Sequence, residues 1–256
     1  MSKAEKADPA AGNLNAQHYA PGPVLLMGEP GAGKGTQAHA LMGTWQVPQI
    51  STGDILRAVR NDPEMARTAL GMLTRSLLET GKLLPDEHVN QLVAQRLEKP
   101  DTSRGFILDG YPRTLGQAEW IEHHLAGVPG PDGQPRLPIV AVNIHVSYNQ
   151  LLRRITGRRN CPVCKNIYNI YSHPPKVEGK CDLDGAALEQ RVDDTEAVME
   201  ERMRAYRAQT APVIEHYRAL GRFFELDGEL PEHELTARIL EEIDRFRVAG
   251  ADRELK

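Results

Sequence analysis

Four groups of residues in this chain have types and spacings that could do chemistry. The first is Gly28-Glu29-Pro30-Gly31-Ala32-Gly33-Lys34-Gly35-Thr36. Glycines at this density let a backbone curl so that successive N–H groups point inward at an anion, and a lysine at the end of the curl can bridge outer phosphate oxygens. The generic phosphate-loop pattern has Ser or Thr directly after the lysine, whereas here Gly35 stands there and Thr36 follows. The second is Asp109, at the end of the apolar run Gly105-Phe106-Ile107-Leu108, where a carboxylate can hold the hydration shell of Mg2+ or serve simply as a turn residue. The third is the arginine pair Arg154 and Arg158, four apart and therefore on one face of a helix, with Arg153 and Arg159 beside them. Two guanidinium forks so placed can reach one polyphosphate, although a charge run of this kind also suits a solvated helix face or a nucleic-acid patch. The fourth is Cys161-Pro162-Val163-Cys164 followed by Cys181-Asp182-Leu183-Asp184, a repeated two-residue spacing that suits four ligands on one tetrahedral ion, usually Zn2+. Free thiols around a hydrogen-bonded turn, Asp184 turned to solvent, and a zinc ribbon gripping nucleic acid are competing readings of the same spacing.

These residues need a scaffold. Val24-Leu25-Leu26-Met27 directly precedes the glycine-rich loop and reads as a strand buried on both faces. Similar runs occur at 105–108, at 139–146 and at 223–226. Helical periodicity separates them and is clearest over 147–156, 195–219 and 232–247, with further helices expected at 54–60, 64–80 and 86–98. Asp193-Asp194-Thr195-Glu196 reads as the capping signal of the helix after it, with Glu196 three residues beyond Asp193. Alternating strands and helices predict an α/β fold with a parallel sheet covered on both faces, whose ligands sit beyond the carboxyl ends of the strands. Two stretches break the alternation and read as insertions over that edge: 52–86, helical without a strand, and 158–193, rich in Cys, Pro, Gly and Tyr.

Composition narrows the function. With 256 residues and 40% hydrophobic content the chain can bury a sizeable core. Its 31 basic and 35 acidic residues give a net charge of −4, which offers no general attraction to nucleic acid or anionic membranes, so phosphate affinity must be local. No apolar run approaches the roughly 20 residues of a membrane span. Residues 1–20 lack a secretory apolar stretch and contain no Arg; they read as a mobile extension, and three clustered cysteines suit a reducing compartment, with the cytoplasm the expected location.

Three motifs in order, the loop at 28–36, Ile50-Ser51-Thr52-Gly53-Asp54-Ile55-Leu56-Arg57, and Leu108-Asp109-Gly110-Tyr111-Pro112-Arg113-Thr114, resemble the adenylate kinase family from about Pro23 to the last helix. The resemblance implies a P-loop NTPase-type α/β core of about five parallel strands flanked by helices, built from 21–51, 87–157 and 194–256, with an inserted AMP-binding helical segment at 52–86 and an inserted zinc-type lid at 158–193. It implies ATP contacts at Gly31, Ala32, Gly33, Lys34, Gly35, Thr36, Arg158, Ile167, Tyr168 and Leu230. It implies AMP contacts at Thr52, Arg57, Lys82, Leu83, Leu84, Gly110, Tyr111, Pro112, Arg113, Gln117, Arg191 and Arg202, with Gln117 reading the acceptor base. Lys34, Arg113, Arg154, Arg158, Arg191 and Arg202 would surround the transferring phosphoryl group, Asp109 would hold Mg2+ through water, and Cys161, Cys164, Cys181 and Asp184 would hold structural Zn2+. Lys165 stands where the family often has Gly.

The implied reaction is MgATP + AMP to 2 ADP. Its acceptor is an already ionised phosphate oxygen, so no general base is needed and catalysis reduces to alignment and charge stabilisation. The implied partners are ATP, AMP and ADP, with no nucleic acid or membrane, in a monomer. Competing readings are a nucleoside monophosphate kinase with another base preference, such as GTP:AMP, and a non-catalytic nucleotide-binding module.

Overall fold

The computed structural model describes residues 21–80 and 84–254. The extension at 1–20 and two of the expected AMP contacts, Lys82 and Leu83, lie outside the described residues.

Five strands form one parallel sheet: β1 (Gly22–Met27), β2 (Gln49–Ser51), β3 (Gly105–Asp109), β4 (Val140–His145) and, last in the chain, Phe223–Asp227. Numbered with the short strands β5 (Arg158–Asn160) and β6 (Ile167–Asn169), the last is β7, and the order across the sheet is β2-β3-β1-β4-β7. Successive residues of β1 point to opposite faces. Val24 and Leu26 join a core with α1 (Lys34–Trp45), α6 (Tyr148–Gly157), α7 (Glu196–Ala205) and α9 (Glu232–Glu254). Leu25 and Met27 join a second core with α4 (Asp86–Leu97), α5 (Leu115–Gly127) and α8 (Ala211–Ala219). Burial on both faces explains why the central strands read as unbroken apolar runs rather than alternating ones.

Between β2 and α4 the chain forms α2 (Thr52–Asn61), a short 3-10 turn and α3 (Ala69–Thr80), matching the strand-free stretch. Between α6 and α7 lies the antiparallel β5–β6 pair, with its own small core of Cys161, Tyr168 and Cys181. No helix among the described residues is long and apolar enough to cross a membrane.

Two sequence expectations need correction. The helix expected over 195–219 is interrupted by a π-helical turn at Tyr206–Thr210. Pro212 has no N–H to offer the Ala208 carbonyl in an α-helical ladder, and the turn carries Thr210, whose hydroxyl donates to the Arg113 carbonyl at 2.9 Å. The cap of α7 is Thr195, whose side chain accepts from Val198 N; Asp193 and Asp194 are not caps but ion-pair partners of Arg202 and Arg158.

Candidate active site

β1 delivers the glycine-rich loop at the carboxyl edge of the sheet, and α1 begins at Lys34. Gly28 has φ 139°, and a Cβ there would lie 2.4 Å from the Ile144 carbonyl oxygen, so only glycine lets the loop leave the strand beside β4. The Lys34 ammonium folds back over the loop and donates to the Gly28 and Glu29 carbonyls at 2.7 and 3.0 Å. Burial draws it down from its ordinary 10.5 to about 8, with the neighbouring cations Arg113 and Arg202 adding to the effect and Asp109 opposing it.

Asp109 ends β3, the neighbour of β1, with Leu26 as its cross-strand partner. Its Oδ2 lies 3.7 Å from where a Cβ on Gly35 would stand, an ordinary contact distance that places the carboxylate directly beside the start of α1. Gln49 Nε2 donates to that same oxygen at 2.8 Å. A carboxylate held beside a phosphate loop fits the water shell of Mg2+, a hard cation that keeps most of its waters.

The arginines come from four separate elements. Arg113 follows the cis Tyr111–Pro112 bond and donates from Nε to the Gly110 carbonyl at 2.7 Å. Arg154 and Arg158 come from α6 and its end, Arg191 from the segment between β6 and α7, and Arg202 from α7. Asp193 brings these elements into one place: burial opposes its charge, but Arg202, Arg57, Arg158 and Arg191 outweigh that and hold it below the usual carboxylate range. Arg202 donates to it at 3.1 Å. Asp194, with no side-chain exposure, accepts from Arg158 Nε at 2.8 Å in a two-pronged pair. Burial pulls Arg191 and Arg202 down to about 10, helped by the other arginines, yet both stay charged at neutral pH. Arg154 faces the loop from the other side, donating to the Ala32 carbonyl at 3.1 Å and to Gly228 O at 2.7 Å.

Arg57, on α2, pairs with Asp54, which also feels Arg191. Thr52 is buried and donates to Gly110 O at 2.9 Å. Leu84 is buried, and Tyr111 is wholly so, its hydroxyl donating to Asn90 Oδ1; both belong to the apolar wall under α2 and α5. Gln117, on α5, accepts from Arg113 N and donates to Asp86.

On the Arg154 side a cavity of about 330 Å³ is lined by Gln150, Arg153, Arg154, Asn169, Tyr171, Ser172 and Glu229. Leu230 follows directly in sequence and packs against the core. The Tyr168 ring is buried in the small core beside the β5–β6 pair, its hydroxyl accepting from Asp182 N at 2.8 Å, while Ile167 is only half-buried. Asn169 and Tyr171, which the sequence did not single out, line the cavity instead; alternation along the short strand β6 is the signal that would have separated Tyr168 from Asn169.

Around the β5–β6 pair the ligand atoms of Cys161, Cys164, Cys181 and Asp184 all lie within 4.8 Å of one another. Cys164 and Cys181 sulfurs are 3.5 Å apart, and Cys161 Sγ stands 3.2 Å from Asp184 Oδ2. Zn–S bonds of about 2.3 Å in a tetrahedron put sulfurs about 3.8 Å apart, so the donor set fits zinc after small adjustments. The two turns are built alike: Lys165 N donates to Cys161 O at 3.1 Å, and Gly185 N to Cys181 O at 2.9 Å. Lys165 (φ 65°) occupies the left-handed conformation that Gly185 (φ 73°) supplies in the second turn.

The family model described as adenylate kinase matches residues 26–222, which span the phosphate loop, all the arginines named above and the metal-type cluster. The chain belongs to the adenylate kinase family. Its relatives include the adenylate kinases of Thermodesulfovibrio yellowstonii, 43% identical over 77% of this chain and 87% of that one, and of Exiguobacterium sibiricum, 43% identical over 84% and 96%. That of Thermosipho melanesiensis is 40% identical over 87% of this chain and 99% of its own length. As an adenylate kinase, the chain is an ATP:AMP phosphotransferase, and the parallel five-stranded sheet is the P-loop NTPase core expected of one.

Proposed function

We propose that Gly31 through Thr36 cradle the ATP phosphates, and that Arg57, Arg113, Arg191 and Arg202 seize the AMP phosphate, so that the two nucleotides meet end to end between Lys34 and Asp193. The observation that carries this is the set of cations round one carboxylate: Arg57, Arg158, Arg191 and Arg202 all act on Asp193, while Lys34 feels Arg113 and Arg202. A concentration of like charge on buried groups is costly without anions between them, and a polyphosphate supplies them. Asp193, Asp194 and Asp54 partly fill that role when no nucleotide is bound.

Lys34, Arg113, Arg154, Arg158, Arg191 and Arg202 neutralise charge on the oxygens of the phosphoryl group in flight, and their origin on five separate parts of the chain aligns donor and acceptor. Mg2+, held through water by Asp109, would add charge neutralisation on the phosphate oxygens. Thr52, Leu84, Gly110, Tyr111, Pro112 and Gln117 form the acceptor pocket, to which Lys82 and Leu83 belong by sequence. Gln117 reads the base, because its amide offers a donor and an acceptor side by side. The ATP base lies toward the cavity under Arg154, against Asn169, Tyr171 and Glu229, with Ile167 and Leu230 close to these in sequence and Tyr168 supporting the strand from its buried side. Residues 158–193 act as a lid over ATP and 52–86 as a cover over AMP, excluding water as a competing acceptor. Zn2+ on Cys161, Cys164, Cys181 and Asp184 stabilises the lid, whose own core is only a few residues. We assign the enzyme to the cytoplasm as a monomer.

The test is diphosphate formation by the purified protein with MgATP and, separately, AMP, GMP, CMP or UMP. Turnover with AMP well above the others supports the assignment; ATP hydrolysis at the same rate without any acceptor contradicts it.

A further inference from the structure

Asp86 is the first residue of α4 and has no obvious part in phosphoryl transfer, yet both its oxygens are engaged at the acceptor pocket. Its Oδ1 accepts from Gln117 Nε2 at 2.7 Å, and its Oδ2 accepts from Thr114 Oγ1 at 2.6 Å. Thr114 Oγ1 in turn accepts from Gln117 N at 3.1 Å, and Gln117 Oε1 accepts from Arg113 N at 2.7 Å. Gln117 is 2% exposed, so its amide is shielded from bulk water, while Asp86 is half-buried.

The network decides which way the Gln117 amide points. An ionised carboxylate only accepts, so it must face the amide nitrogen; a backbone N–H only donates, so it must face the amide oxygen. A half-turn of the amide would set oxygen against carboxylate and N–H against N–H, exchanging two hydrogen bonds for two repulsions in a buried site. Each contact uses one donor or acceptor and leaves one N–H and one oxygen lone pair for a ligand. A 6-aminopurine edge offers an amino donor beside a ring-nitrogen acceptor. A 6-oxopurine edge offers the reverse, a carbonyl acceptor beside a ring N–H donor. An unconstrained glutamine satisfies either edge by turning over, so glutamine alone does not discriminate between them.

We propose that Asp86 is a specificity-determining positioning residue: by holding Gln117 in one amide orientation it makes the acceptor site select 6-aminopurine over 6-oxopurine nucleotides. The proposal rests on Gln117 reading the acceptor base, and the experiment separates the two. The full-length protein is assayed for kcat/KM with AMP and with inosine 5′-monophosphate, for wild type, Asp86→Asn, Asp86→Glu and Gln117→Ala. An asparagine can turn either its oxygen or its nitrogen toward Gln117, which removes one of the two repulsions. The preference for AMP should fall about tenfold or more in Asp86→Asn, with inosine monophosphate turnover rising relative to AMP, and Asp86→Glu, still an acceptor only, should keep most of the preference. Equal losses for both acceptors in Asp86→Asn would overturn the proposal and leave Asp86 a structural residue. A wild-type preference in Gln117→Ala would instead remove Gln117 as the reader, and the proposal with it. Should Asp86→Asn fail to fold, Thr114→Val, which removes the hydroxyl bonded to Asp86 Oδ2, carries the test: a fall of a few-fold in the preference supports the proposal and an unchanged preference refutes it.

Discussion

Lys34 is held against its own chemical preference, and replacing it by methionine should therefore expose a conflict between stability and activity. Burial draws its ammonium from 10.5 down to about 8 in the folded protein. That gap corresponds to about 3 kcal/mol of destabilisation wherever the group is charged in both states, since each factor of ten in acidity is worth about 1.4 kcal/mol. The sign follows from proton counting: between pH 8 and 10.5 the unfolded chain binds the proton that the folded chain has released, so stability from this group rises with pH across that window, and the full penalty applies below it. Methionine removes the penalty but also the bonds to the Gly28 and Glu29 carbonyls, worth about 1 kcal/mol each. Lys34→Met should therefore be more stable than wild type by about 1 kcal/mol at pH 7 and less stable by about 2 kcal/mol near pH 10.5. Turnover should fall about 10²- to 10³-fold, as for loss of a charge-stabilising donor. Urea unfolding of both proteins followed by circular dichroism, at several pH values from 7 to 10.5, measures the difference directly. A stability difference that stays constant with pH, or moves the other way, would refute the reasoning.

Other outcomes follow from the same structure. Asp194→Ala leaves Arg158 without its buried partner and should cost about 3 kcal/mol in urea unfolding, the low end for a broken buried pair because the Arg158 side chain keeps 19% exposure. Lys165→Gly relieves a left-handed lysine and should stabilise the metal-loaded lid by about 0.5–1 kcal/mol, read as a higher unfolding temperature. Stripping metal with a chelator should lower the unfolding temperature of the wild type but not of Cys181→Ser, which has already lost a ligand. Binding of a polyphosphate nucleotide should weaken as pH rises through about 8, because the free enzyme's Lys34 loses its charge there; calorimetric titration at pH 7 and pH 9 with Lys34→Met as reference checks it.

The parts of the site written as short local patterns were legible in the sequence. The loop at 28–36 and its strand could be read because glycine spacing and a buried apolar run are both local signals. The cysteine cluster was readable for the same reason, and its four ligand atoms do converge. What the sequence concealed depends on pairing across long separations or on very short elements. β2 has three residues, too few to show a period, and α5 has its apolar side on a helix with little contrast between its faces. The partners that orient functional groups, Gln49 for Asp109 and Asp86 for Gln117, lie 60 and 31 residues away from them and carry no local mark. The run 193–196 is rightly read as a capping signal, but the cap is Thr195 and not Asp193; only the fold shows that arginines from α6 and α7 reach Asp193 and Asp194 first.

The central claim is that two nucleotides occupy one cationic cavity, joined through their phosphates, and titration calorimetry with a bisubstrate analogue carrying two adenosines on one phosphate chain tests it most directly. The account predicts one analogue per chain, bound at least 10²-fold more tightly than ATP because the second nucleotide binds at high effective concentration, with the advantage lost in Arg113→Ala. Two analogues per chain, or one bound no more tightly than ATP, would contradict it.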